Sequence, residues 1–173
     1  MKTTTGIKDI FAAYGEAAYH AQLMEYHLVT IWMLDSVSQG VAITRQDVLK
    51  FQEDWGKKTF GQLLKPLQKS NLISPEIKDF LEQLRGTRNR LMHHFFLDSA
   101  IDLQTNHGRD RTVAELQRMN ALIEKGEQFF SDILTTYLKD FDVDAEAIRR
   151  QVLQRNEDAK QNGGIEARSP WFR

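Results

Sequence analysis

Arg88-Asn89-Arg90-Leu91-Met92-His93-His94-Phe95-Phe96 concentrates more chemistry than any other stretch of this chain. It sets two arginines, an amide, two imidazoles and two aromatic rings side by side. Histidine is the side chain whose ordinary pKa lets it both take and give a proton near neutrality. Arginine makes charge-assisted, often bidentate, contacts with phosphate oxygens. Together they suit metal-free cleavage of a phosphodiester. A base takes the proton of a ribose 2′-OH, which attacks the adjacent phosphorus. An acid protonates the leaving 5′-oxygen, and an arginine stabilises the charge on the phosphoryl oxygens. The need for a 2′-OH makes the substrate RNA.

Helices must position these groups, because the chain shows helical periodicity and no alternating strand pattern. Ile7, Phe11, Tyr14, Ala18, Ala21, Leu28 and Trp32 predict a long first helix to about Asp35. Thr44 caps a second helix, Arg45 to about Trp55. Thr59-Phe60-Gly61-Gln62 fits a capping box opening a third, short or kinked at Pro66. Ser74-Pro75-Glu76 opens a fourth, expected to run to about Leu97 with the motif in its second half. Asp98 to Asp110 reads as a loop, and Thr112-Val113-Ala114-Glu115 as the capping box of a helix to about Lys139. A last, polar helix is expected from Ala145 to about Gln161, before a tail with Trp171-Phe172. The expected fold is all-α: an antiparallel bundle of four to five helices over residues 1–161, with a C-terminal tail, 162–173.

On a helical wheel with Ile77 at zero, Arg88 falls at about 20°, inside the apolar stripe. Asn89 and His93 fall at about 120° and 160°, and Arg90 and His94 at about 220° and 260°. An arginine in an apolar stripe needs a partner or a cleft. Glu25, lying between Ala21 and Leu28 on the first helix, is the predicted partner. Arg88 and His93 converge if the arginine stem bends round, if the helix ends near His93, or if two copies of the motif face each other.

Composition narrows the rest. The chain has 173 residues, 41% hydrophobic and 27% charged, enough for one domain with a real core and a charged surface. No apolar run approaches a membrane span, and the start carries no secretory h-region, so a cytoplasmic protein with no membrane partner is expected. Cys is absent, which excludes disulfides and thiolate chemistry. The net charge of −1 argues against permanent residence on nucleic acid, although the segment from Lys78 to His94 is locally basic. His93 and His94 are adjacent rather than at i,i+4, and His20, His27 and His107 stand apart in sequence, so neither a metal site nor a cofactor is expected.

An arginine, a polar residue and then a histidine near the end of a helix in an all-helical chain resembles the HEPN superfamily (higher eukaryotes and prokaryotes nucleotide-binding). The resemblance covers the bundle loosely and the motif closely. It implies Arg88 as the motif arginine, Asn89 as the polar residue after it and His93 as the motif histidine. Glu25, from the wheel, and His94 and Arg90, from their place beside the motif, are the supporting candidates. With 12 Arg, 5 His and 6 Asn in the chain, chance supplies roughly 0.35 matches to Arg-x4-His but only roughly 0.01 once Asn must follow the Arg. Many members are metal-independent endoribonucleases in toxin–antitoxin, phage-defence and RNA-processing systems, and they commonly dimerise around a shared cleft. The resemblance thus implies an RNA substrate, a homodimer, and a cognate antitoxin or regulatory protein as a further partner. In members silenced by AMP modification, a tyrosine usually stands two residues after the histidine. Here that residue is Phe95, so this control is not implied.

Plainer readings stand beside this one. A buried ion pair alone would account for Arg88. A helix C-terminus favours a histidine such as His93 through its dipole. His94 and Arg90 suit a solvated surface, and Phe95 and Phe96 suit a core or a dimer interface. The alternative function is a non-catalytic HEPN module that binds a nucleotide or a protein partner; a weaker one is a helical scaffold with no site.

Overall fold

A computed structural model describes residues 5–40, 44–69 and 73–140, with Arg150 and Gln154 beyond them. The described residues are almost entirely helical and contain no strand. They form α1 (Ile7–Ser38), α2 (Arg45–Gly56), α3 (Phe60–Lys69), α4 (Pro75–His93), α5 (Phe95–Asp98) and α6 (Asn106–Asp140), with a 3-10 turn at Asp102–Gln104 before α6. None of the helices is long and apolar enough to cross a membrane. Residues 1–134 make one compact unit, and Thr135–Arg173 a second. Most of the polar helix expected at 145–161, and the Trp171-Phe172 tail, lie outside the described residues.

The helix starts follow their capping chemistry. The Thr44 hydroxyl accepts the Asp47 amide at 3.1 Å, and the Asp47 carboxylate accepts the Thr44 amide at 3.0 Å. Thr59 and Gln62 exchange the same pair of bonds at 2.8 and 3.3 Å. Ser74 caps α4, with Pro75 in its first turn. Pro66 lies inside α3, which stays short.

α1 crosses α4 in the opposite sense, with Tyr14 against Phe95 and Glu25 against Arg88. α6 is antiparallel to α4, pairing Phe80 with Phe129 and Arg90 with Glu115. α1 and α6 consequently run parallel. Met24, Leu28, Leu84, Leu91, Leu116 and Ile123 are sealed in the core between them. Each such side chain contributes roughly 1.5–3 kcal/mol.

Three expectations need correction. The buried stripe of α1 is Ile10, Ala17, Ala21, Met24, Leu28 and Ile31, while Ile7 and Phe11 stand exposed. α1 carries apolar residues on more than one side, and periodicity alone does not choose which side meets α4 and α6. α4 ends at His93 instead of running on to Leu97. His94 leaves helical geometry at φ −127°, ψ −20°, and α5 restarts at Phe95. The break lets Phe95 enter the core while Phe96 lies against Phe11 and Tyr14. α6 opens at Asn106, not Thr112. The Thr105 hydroxyl accepts the Gly108 amide at 3.0 Å, so Thr105 performs the capping. Thr112 is buried within the helix and donates its hydroxyl back to the Gly108 carbonyl at 2.9 Å.

Gly108 explains why α6 begins so close to the 3-10 turn. A Cβ there would lie 2.1 Å from the Asp102 carbonyl oxygen and 2.6 Å from the Asp102 Cα. Gly108→Ala must therefore push backbone apart, at a net cost of about 2 kcal/mol. For a chain of this size, that lowers the thermal midpoint by about 4–8 °C. Gly15→Ala carries the opposite sign. Nothing lies within 4 Å of its Cβ, so the gain in helix propensity, about 0.8 kcal/mol, stands alone. Thermal melts of the two variants followed by circular dichroism read the contrast directly.

Candidate functional site

Arg88 sits on the inward face of α4, between the buried Leu84 and Leu91. Its side chain is 15% exposed and bonds through Nε to the Glu25 carboxylate at 2.5 Å, Glu25 being 25% exposed. The ion pair predicted from the wheel is therefore present. The other side of the guanidinium faces outward. Arg88 Nη1 lies 3.4 Å from Asn89 Oδ1 and 3.3 Å from His93 Nε2. Both are long for hydrogen bonds, as befits groups that border a cleft. Because the guanidinium only donates, the contact fits a His93 ring with its lone pair on Nε2.

Of the three ways in which Arg88 and His93 can converge, two operate together. α4 terminates at His93, and the arginine stem reaches round from the stripe. A single chain thus gathers Arg88, Asn89 and His93 without help from a second copy.

These three residues line a cleft of about 430 Å³ together with Arg85, His94 and the start of α3 at Thr59 and Gly61. His93 and His94 are both exposed, their ring centroids 6.3 Å apart. Arg90 turns away. It pairs with Glu115 at 2.5 Å and Asp98 at 3.4 Å, tying the end of α4 to α5 and α6. Of the six residues selected from sequence, the cleft gathers Arg88, Asn89, His93 and His94; Glu25 anchors Arg88 from behind, and Arg90 braces the fold.

Arg85 was not selected as a site residue from sequence, and Thr59 and Gly61 were read only as part of a helix cap. Arg85 stands one helical turn before Arg88, which was a usable signal. The arrival of the α3 amino end was not legible, because it depends on how α3 packs across α4. Arg85 holds Glu82 through Nε at 3.0 Å and through a second bond from Nη2. These hydrogen bonds hold the Glu82 carboxyl below its ordinary value and raise the Arg85 guanidinium.

His20 is less isolated than its sequence position suggests. Its Nδ1 lies 2.5 Å from a Glu127 oxygen and its Nε2 lies 3.7 Å from Glu124. Glu16 joins His20 and Glu124 to make a group with ligand atoms within 4.8 Å of one another. The spacings Glu16–His20 and Glu124–Glu127, i,i+4 and i,i+3, could have flagged it. A ring held between two carboxylates satisfies the same geometry, and the group stands apart from the cleft.

Compared with known proteins, the chain matches no family model, no curated protein and no solved structure.

Proposed function

We propose that this protein is a metal-independent endoribonuclease of the HEPN type, acting in the cytoplasm as a homodimeric toxin or phage-defence effector. The observation that carries the reading is the meeting of Arg88, Asn89 and His93 at the mouth of one open cleft. The association of α1, α3, α4 and α6 supports the bundle such a protein needs. An imidazole removes the 2′-OH proton, the oxygen attacks the neighbouring phosphorus, and the P–O5′ bond breaks with a proton delivered to O5′. The products are a 2′,3′-cyclic phosphate and a 5′-hydroxyl. The outward N–H groups of Arg88 meet the phosphoryl oxygens as charge builds on them. Asn89 adds a polar contact beside that charge.

The reaction uses two proton-handling groups, one to take and one to give. The divergence of Arg88 and His93 on the wheel no longer argues for a dimer, since one chain brings them together. Support for a dimer comes instead from apolar surface beside the motif. Leu97 and Ile101, soon after His93, are 78% and 81% exposed. A two-fold contact there would bring a second His93 toward the first cleft. Replacing both Leu97 and Ile101 with Asp should convert a dimer to a monomer in light scattering, with cleavage lost and the thermal midpoint kept. A monomeric variant that still cleaves would assign the second proton to His94 of the same chain.

Phe95 has no hydroxyl and is buried, so a cognate antitoxin or regulatory protein would have to act by a means other than modification at that residue. The alternative, a non-catalytic HEPN module, draws support from the cleft volume, which falls in the range of small-molecule sites and suits a nucleotide. The deciding experiment is RNA cleavage in EDTA by wild type, Arg88→Ala and His93→Ala side by side. Nucleotide binding without cleavage would select the alternative.

A further inference from the structure

We infer that Arg85 and the amino end of α3 form a second phosphate subsite, which holds the single-stranded RNA backbone one phosphate away from the bond that is cut. This rests on the ribonuclease reading above. Arg85 and Arg88 are one helical turn apart and line the same cleft, so they offer two cationic stations along one path. The stations differ in kind. Arg88 is largely buried and fixed from behind by Glu25, as a group working at one reacting phosphate should be. Arg85 is 43% exposed, and its partner Glu82 is 55% exposed, so a passing phosphate can exchange with the carboxylate.

The opposite wall of the cleft is the start of α3. Its capping box occupies the amides of Thr59 and Gln62, and Phe60 is sealed in the core, which leaves Gly61 on the cleft with an amide that has no helix carbonyl to bond. No acidic residue stands in that turn to neutralise its positive end. Gly61 also makes room for the arginine: a Cβ there would lie 3.3 Å from Arg85 Cδ. The Arg85 stem therefore lies across the bare backbone at Gly61, with Arg85, Thr59 and Gly61 bordering one space. Glu82 occupies the arginine until a backbone phosphate displaces it. The contacts go to phosphate and not to bases, so the subsite adds affinity without sequence preference.

The test uses a fluorescent 2′-O-methyl oligoribonucleotide of mixed sequence, which has no 2′-OH to react, titrated over a range of salt. Arg85→Gln should weaken binding about tenfold and reduce the slope of log K against log salt by about 0.7, the value for one phosphate on a single strand. Arg85→Lys should keep the slope. Glu82→Gln should tighten binding, and the double variant should behave like Arg85→Gln. Unfolding midpoints guard against misfolding, which the exposure of both side chains makes a small risk. Wild type is assayed in parallel for cleavage of unmodified RNA in EDTA. If it cleaves and Arg85→Gln leaves affinity and slope unchanged, the subsite is overturned and the ribonuclease reading stands. If wild type binds the oligonucleotide through Arg85 but cleaves nothing, the subsite stands and the ribonuclease reading falls. If wild type neither binds nor cleaves, both are overturned.

Discussion

His93→Ala should reduce RNA cleavage in EDTA by about 10²–10⁴-fold, the usual worth of one positioned proton transfer. The side chain is exposed at the last residue of α4, where it meets the Arg88 guanidinium and the His94 ring. Its removal should therefore leave the thermal midpoint within about 2 °C, since surface substitutions usually cost under about 0.5 kcal/mol. The pairing of a large loss in rate with an intact fold is the diagnostic. His94→Ala is the natural comparison. His94 shares the cleft, but it sits at the break between α4 and α5. Equal losses for the two histidines would indicate an acid and a base from one chain. A large loss for His93 alone would favour two copies of His93 in a dimer. Activity that survives in His93→Ala would remove the proposed chemistry.

Arg88→Ala should damage rate and stability together, because the side chain does two jobs. Its Nε is tied to Glu25, and its Nη1 faces the cleft. On the rate side, loss of a donor aimed at developing charge costs about 10²–10³-fold. On the stability side, removal of one partner from a fully buried pair costs about 3–5 kcal/mol. Here both groups keep some solvent, so about 1–3 kcal/mol is the reasonable figure. Glu25 has no place in the cleft lining, yet Glu25→Gln should lower the cleavage rate as well, by loosening the arginine it anchors. A double-mutant cycle separates these effects. Glu25→Ala and Arg88→Ala combined should destabilise by less than the sum of the singles, since the second change removes the group the first left unpaired. Strict additivity would mean that the pair has no energetic role.

How much of this was readable beforehand differs from residue to residue. The start of α4 was legible because Ser74, Pro75 and Glu76 carry three concordant local signals. The end of α4 was not, because nothing at His94 breaks a helix by itself. The chain departs from helix there so that Phe95 can fill the core and Phe96 can meet Phe11 and Tyr14, and those rings come from α1. The start of α6 was misread for a related reason. Thr112 and Glu115 fit a capping box, but in the fold Thr105 does the capping, seven residues earlier, where Gly108 packs its backbone against Asp102. The stripe of α1 was displaced because two apolar faces were on offer and packing selected one.

The sequence by itself determined that the chain is helical, where most helices begin, and that Arg88, lying in an apolar stripe, required a partner or a cleft. These follow from local capping, from the 3.6-residue period and from the cost of burying an unpaired charge, none of which needs a third dimension beyond the helix. Tertiary structure alone decided that α4 stops at His93, that Arg88 reaches the imidazole within one chain, and that the amino end of α3 with Arg85 completes the cleft. Each depends on side chains from distant elements meeting in space, and a helical wheel holds no information about the helix on the other side.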